Sequence, residues 1–163
     1  MDDRGTGHTT GMAPVSVHFV NNVLAVAASY IEEDPERARD VLAELGAFLT
    51  HRLRGPRAIP LPEELEHVRV YLSLESARFV DRLVVELPDA GELPEVHVGP
   101  GDVQGPVSDV LGRWLIQHSG RVRVALRPRG EALDLQLDRP DDPSQPGERV
   151  RIPLGLATAG SAA

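Results

Sequence analysis

Apolar residues recur at helical spacing as far as about Leu83 and alternate at strand spacing after it. That change of period admits few architectures. Helices come first, a small mixed α/β unit follows, and the fold class is α+β. In the first part, Phe19, Val23, Val26 and Tyr30 form one helical stripe, and Val20, Leu24, Ala27 and Ile31 form its neighbour. "EEDPERAR" breaks and restarts the helix: Asp34 suits an N-cap, Pro35 the first helical position, and Glu36 the positive helix end. The second helix is expected to reach about Arg54 and to bury Val41, Leu42, Leu45, Phe48 and Leu49, with "GPRAIP" as its stop. A third starts near Pro62 and turns Leu65, Val68, Leu72, Phe79 and Leu83 inward.

Beyond Leu83, "LVVELP" and "EVHVGP" read as short strands, and "DVQGPVSDVLGRWLIQHSG" as a helix from about Pro106 to His118, stopped by Gly120. "RVRVALRPRGEALDLQLD" is a hairpin about "PRGE", and "RVRIPL" is a last strand. The expected segmentation is a loose tail at 1–12, a helical hairpin at 13–57, an α/β lobe at 58–156 with its first helix at 61–82, and a tail at 157–163. The hairpin's two apolar stripes are too wide for two helices to bury alone, which predicts a homodimer through a four-helix bundle.

Charge and residue usage exclude several functions. The formal charge is -8, so no basic face is available for nucleic acid or an anionic membrane. There is no cysteine, which removes disulfides, zinc ribbons and thiol catalysis. All seventeen basic residues are arginine, so no lysine nucleophile or P-loop can exist. No apolar run is long enough to span a membrane, and "MDDRGTGHTTG" lacks the basic start of a signal peptide. A cytoplasmic chain, whose input arrives through another protein, is the expectation.

"HFVNNVL" carries the most chemistry. On a helix, His18, Asn22, Ala25 and Ser29 share a small, polar face away from both apolar stripes. A solvated imidazole is substantially neutral at pH 7, and a neutral imidazole is a nucleophile that an in-line phosphoryl donor can reach. Asn22 could orient the ring or bond a phosphoryl oxygen. The same pattern also suits a surface histidine with no chemistry.

The segments "HFVNNVL", "DPERAR" and "LPEELEHVRVYLSLESARFVDRL" together resemble the internal region of sensor histidine kinases of the LytS-like family. That family carries a proline-His-Phe-x-x-Asn-x-Leu box, matched at His18, Phe19, Asn22 and Leu24. Its second segment is matched at Leu61, Glu64, Leu65, Tyr71, Leu72, Glu75, Arg78, Phe79, Asp81, Arg82 and Leu83. The resemblance covers residues 14–83 well and 84–155 weakly. It implies that His18 is the phosphoacceptor with Asn22 orienting it. It also implies a dimerising helical hairpin followed by an ATP-binding lobe of the gyrase/Hsp90/kinase type, here reduced to a small α/β sandwich.

The sequence departs from that family at several positions. Val17 replaces the box's proline, and Asn21 a usual phenylalanine. Aligned on "IQHSG", the family's Q-P-L-V-E-N-A-I-K-H-G helix puts Arg113 at its acid and Trp114 at its magnesium-binding asparagine. Tryptophan offers a hard cation no oxygen. Asp138 keeps the aspartate of the Asp-x-Gly-x-Gly adenine loop, but Pro140 and Asp142 replace both glycines. The site near Trp114 and Asp138 therefore reads as vestigial, with the indole filling it, and no cofactor is expected. Two functions follow: a phosphotransfer protein, taking phosphate on His18 and passing it to a response-regulator receiver aspartate, or a non-catalytic pseudokinase that binds histidine kinases or response regulators; a third option is a true kinase fragment whose nucleotide site aligns differently. No metal site is expected. Asp138, Asp141 and Asp142 read as a solvated loop. His51, His67, His97 and His118 share no ligand spacing and read as surface residues. Glu63 and Glu64 read as helix-start charges, and Arg78, Asp81 and Arg82 as an ion-pair network within one helical turn.

Overall fold

The computed structural model describes residues 16–53, 55 and 57–155. The expected tails, the helix start at Pro14 and the helix end at Arg54 lie outside them. Helix α1 (Val17–Tyr30) is capped by Ser16, whose hydroxyl accepts the Phe19 amide at 3.4 Å. Helix α2 (Pro35–Arg52) restarts where the sequence predicts. Asp34 accepts the Arg37 amide at 3.0 Å, and Pro35 opens the helix. The two helices form a hairpin whose inner face buries Phe19, Val23, Ala27, Val41, Leu45 and Phe48.

Strand β1 (Ile59–Pro60) leads into helix α3 (Leu61–Arg78), strand β2 (Leu83–Glu86), a 3-10 turn (Ala90–Glu92), strand β3 (His97–Val98) and helix α4 (Gln104–Gln117). Strands β4 (Val122–Pro128), β5 (Ala132–Asp138) and β6 (Glu148–Pro153) complete the chain. The main sheet has the order β2-β4-β5-β6, with β2 parallel to β4 and the other pairs antiparallel. Alternation is clearest in β5, where Leu133, Leu135 and Leu137 are fully buried. Gly130 turns the β4–β5 hairpin with φ 63°. Gly147 lets the chain return beside β5: a Cβ there would meet the Leu137 carbonyl at 2.6 Å.

The α+β class and the order of helices before sheet are as expected. One buried cluster runs from Phe19 in α1 through α3 and α4 to Leu154, so hairpin and sheet share a core. Its seam is aromatic: the Phe19 ring lies 5.3 Å from Phe48 and 5.5 Å from Tyr71.

The structure corrects three local expectations. Helix α3 stops at Arg78, not at 82, and Asp81 sits in the left-handed region at φ 59°. Arg78, Asp81 and Arg82 therefore make no one-turn network. Arg78 pairs with Glu75 at 2.7 Å, while Arg82 donates to the carbonyls of Gly120 and His118. Leu42 points outward, and β1 pairs with β3 although a two-residue strand ending in proline carries no alternation to read.

Candidate functional site

His18 stands in the first turn of α1, one position past the start, and is exposed with Asn22, Ala25 and Ser29. The polar face read from the sequence is thus a real face. His18 and Asn22 overlook a cleft of about 290 Å³ between α1, α3 and the first turns of α4. Its floor is the Phe19, Phe48 and Tyr71 cluster, which holds the helix under His18 in place. Its walls are charged. Arg78 is bonded to Glu75 and lies 5.7 Å from the Phe19 ring centre. Arg52 donates to Gln104 Oε1 at 3.0 Å, joining the end of α2 to the start of α4. Ser108 and Asp109 face the cleft from α4. Burial pushes the Glu75 carboxyl above its ordinary range, against the opposing pull of Arg78 and the Tyr71 hydroxyl. Burial likewise raises the Tyr71 hydroxyl, with Glu75 adding to the shift. The cleft that the exposed His18 imidazole overlooks thus holds two guanidiniums, Arg52 and Arg78, and two carboxylates, Glu75 and Asp109.

Trp114 and Asp138 do not line this cleft. The Trp114 indole is buried, donates to Glu148 on β6 at 2.6 Å and stacks on His118 at 4.2 Å. Asp138 accepts from Arg123 at 3.0 Å and from Gln136. Asp141 faces Arg121 at 3.9 Å, and Asp142 pairs with Arg139 at 3.4 Å. Each acid of that loop thus has an arginine counter-ion.

Two sequence expectations fail in instructive ways. Glu64 is not a solvated helix-start charge. It is fully buried, and its carboxylate accepts the backbone amides of Gly101, Val103 and Gln104 at 3.0–3.1 Å. Helix α4 has no side-chain cap of its own at Val103, so Glu64 supplies the acceptor from a different helix. Desolvation still holds the Glu64 carboxyl above its ordinary range, opposed by those amides. His51 and His67 are not surface histidines either. His51 is buried, His67 is half-buried, and their rings stack with centres 3.1 Å apart. With Glu63 they bring three ligand atoms within 4.8 Å of one another. The sequence shows the four-residue spacing of Glu63 and His67, but not that His51 joins them, because it comes from another helix across the "GPRAIP" turn.

Residues 12–83 match the model of the histidine kinase family. The sensor histidine kinase BtsS of Escherichia coli K12 is 31% identical over 129 residues, which is 77% of this chain and 23% of that protein. The sensor protein LytS of Bacillus subtilis is 34% identical over 101 residues, 61% of this chain and 17% of the relative. LytS of Enterococcus faecalis is 28% identical over 151 residues, 91% of this chain and 26% of that protein. The chain carries a LytS-like histidine kinase region. That region contains α1, α2 and α3, and with them His18 and most of its cleft. The chain spans between 17% and 26% of the length of these curated relatives. No helix among the described residues is long and apolar enough to cross a membrane.

Proposed function

We propose that this chain acts in two-component signalling as a histidine phosphotransfer protein, and that His18 is the residue phosphorylated. A phosphorylated receiver or partner kinase supplies the phosphoryl group. Its bond to the donor oxygen breaks, a P–N bond forms on the His18 ring, and the ring gives up a proton to water. The reverse attack by a receiver aspartate carries the group onward. The observation that carries this reading is the placement of an exposed His18 over a cleft holding Arg52 and Arg78. Asn22, one turn along the same face, orients the ring.

Magnesium–ATP fits the residues poorly, so no step is routed through it. The acids of the 138–142 loop are engaged by arginines, and proline and aspartate stand at the two glycine positions. The register of the family's helix also deserves revision. Because α4 begins at Gln104, the box's glutamine is better placed there than at "IQHSG". Its acid then falls on Ser108 and its asparagine on Asp109, an oxygen donor, both facing the His18 cleft, so Trp114 no longer counts against the nucleotide and the poor fit rests on the 138–142 loop alone.

The test is direct. Incubation with a phosphorylated receiver domain should put acid-labile label on the chain, and His18→Ala should abolish it. Label from magnesium–ATP alone would show that the chain powers its own phosphorylation. A second reading, a non-catalytic adaptor that dimerises and holds kinases or regulators, is favoured by the outward apolar residues Val17, Leu24 and Ile31 on α1. No label from either donor, with a stable receiver complex, supports that reading instead.

A further inference from the structure

The cluster of His51, Glu63 and His67 lies apart from the His18 cleft. We propose that these three residues form a divalent-cation site of the zinc class, clipping the end of α2 to the first turns of α3. Glu63 and His67 are four residues apart on α3 and share a face, and His51 reaches them from the last turn of α2. Their ligand atoms lie within 4.8 Å of one another. Three donors on one tetrahedral zinc stand about 3.4 Å apart, so small side-chain rotations close the set. The stacked imidazoles must splay for both to aim at one ion. Glu63 and His67 are half-buried, whereas His51 is buried.

The support behind the ligands is already built. His51 Nε2 meets Glu64 Oε2 at 3.3 Å, so Nδ1 is the ring nitrogen that would ligate the ion. A carboxylate bonded to the far nitrogen of a ligating histidine fixes its ring and tautomer. Glu64 is itself held by the backbone amides at the start of α4, so this outer partner is rigid. Two imidazoles and one carboxylate suit zinc, with the fourth position left to water. Magnesium and calcium prefer all-oxygen sets. A cavity of about 480 Å³, lined by His51, Glu63 and His97, gives the ion access and the water room. Arg57 also lines that cavity, so the ion would have its guanidinium for a neighbour against the carboxylates of Glu63 and Glu64.

The experiment uses the tag-free full chain, stripped with a chelator and then titrated with zinc alone against a chromogenic competitor. Elemental analysis gives the stoichiometry, and cobalt substitution reports the geometry. The expected result is one ion per chain, the visible bands of a tetrahedral cobalt site, and a thermal midpoint that rises with zinc. Glu63→Gln and His67→Ala should each weaken binding by at least the roughly 10- to 100-fold that loss of an outer partner costs. His118→Ala, on the far end of α4, should leave it unchanged. Circular dichroism confirms that each variant is folded. Failure of the wild-type chain to bind zinc, or equal affinity in the folded Glu63→Gln/His67→Ala double variant, overturns the proposal.

Discussion

At the scale of single residues, two buried carboxylates do different work. Glu64 caps a helix it does not belong to, and its removal orphans several backbone donors at once. Each buried donor left without an acceptor costs about 1–3 kcal/mol. Glu64→Ala should therefore lower the unfolding free energy by about 3 kcal/mol or more, read as a loss in urea midpoint. Glu75 makes the pH-dependent contribution. Burial raises its folded pKa above the ordinary 4.5, so in that window the folded chain keeps a proton that the unfolded chain has released. Stability then falls as the pH climbs above about 4.5. Glu75→Gln should flatten that part of the midpoint-against-pH curve, and Glu64, whose shift has the same sign, contributes a slope of its own. A variant curve as steep as the wild type would exclude Glu75 as its source. None of this was legible beforehand. The amides that Glu64 accepts lie 37–40 residues further along the chain.

At the scale of elements, α1 shows the gap between pattern and packing. Its two adjacent stripes were readable from spacing alone, but one chain buries Phe19, Val23 and Ala27 and covers Val20 and Val26 in part. Val17, Leu24 and Ile31 remain 71%, 44% and 59% exposed, one heptad apart, with Leu42 on α2 at 46%. A second copy laying the same stripe against this one would form the four-helix bundle. Leu24→Glu/Ile31→Glu should shift the chain to a monomer in sedimentation velocity. Since neither side chain sits in the core, a thermal midpoint at high dilution should change little. A variant that still sediments as a dimer would place the contact elsewhere. The restart at Asp34–Pro35 and the "PRGE" hairpin were legible because local chemistry decides them. The β1–β3 pair and the end of α3 were not, because distant backbone decides them.

At the scale of the whole molecule, the aromatic seam binds the hairpin to the rest. Phe48→Ala should cost about 3–5 kcal/mol and unfold both parts in one transition, detected by coincident circular dichroism and fluorescence curves. Two separate transitions would mean that the shared core is not cooperative. The sequence order of helices and strands revealed the class, but not that one core serves them all, since the facing of α1 against α3 is a tertiary choice. The parallel pairing of β2 with β4 has a consequence in time. Strands β4, β5 and β6 can zip together through short connections, whereas residue 83 must find residue 122 across a long connection that holds α4. The edge strand should then be the last to join and the first to leave. Amides of Val84 and Val85 should exchange with heavy water sooner than those of Leu133 and Leu135.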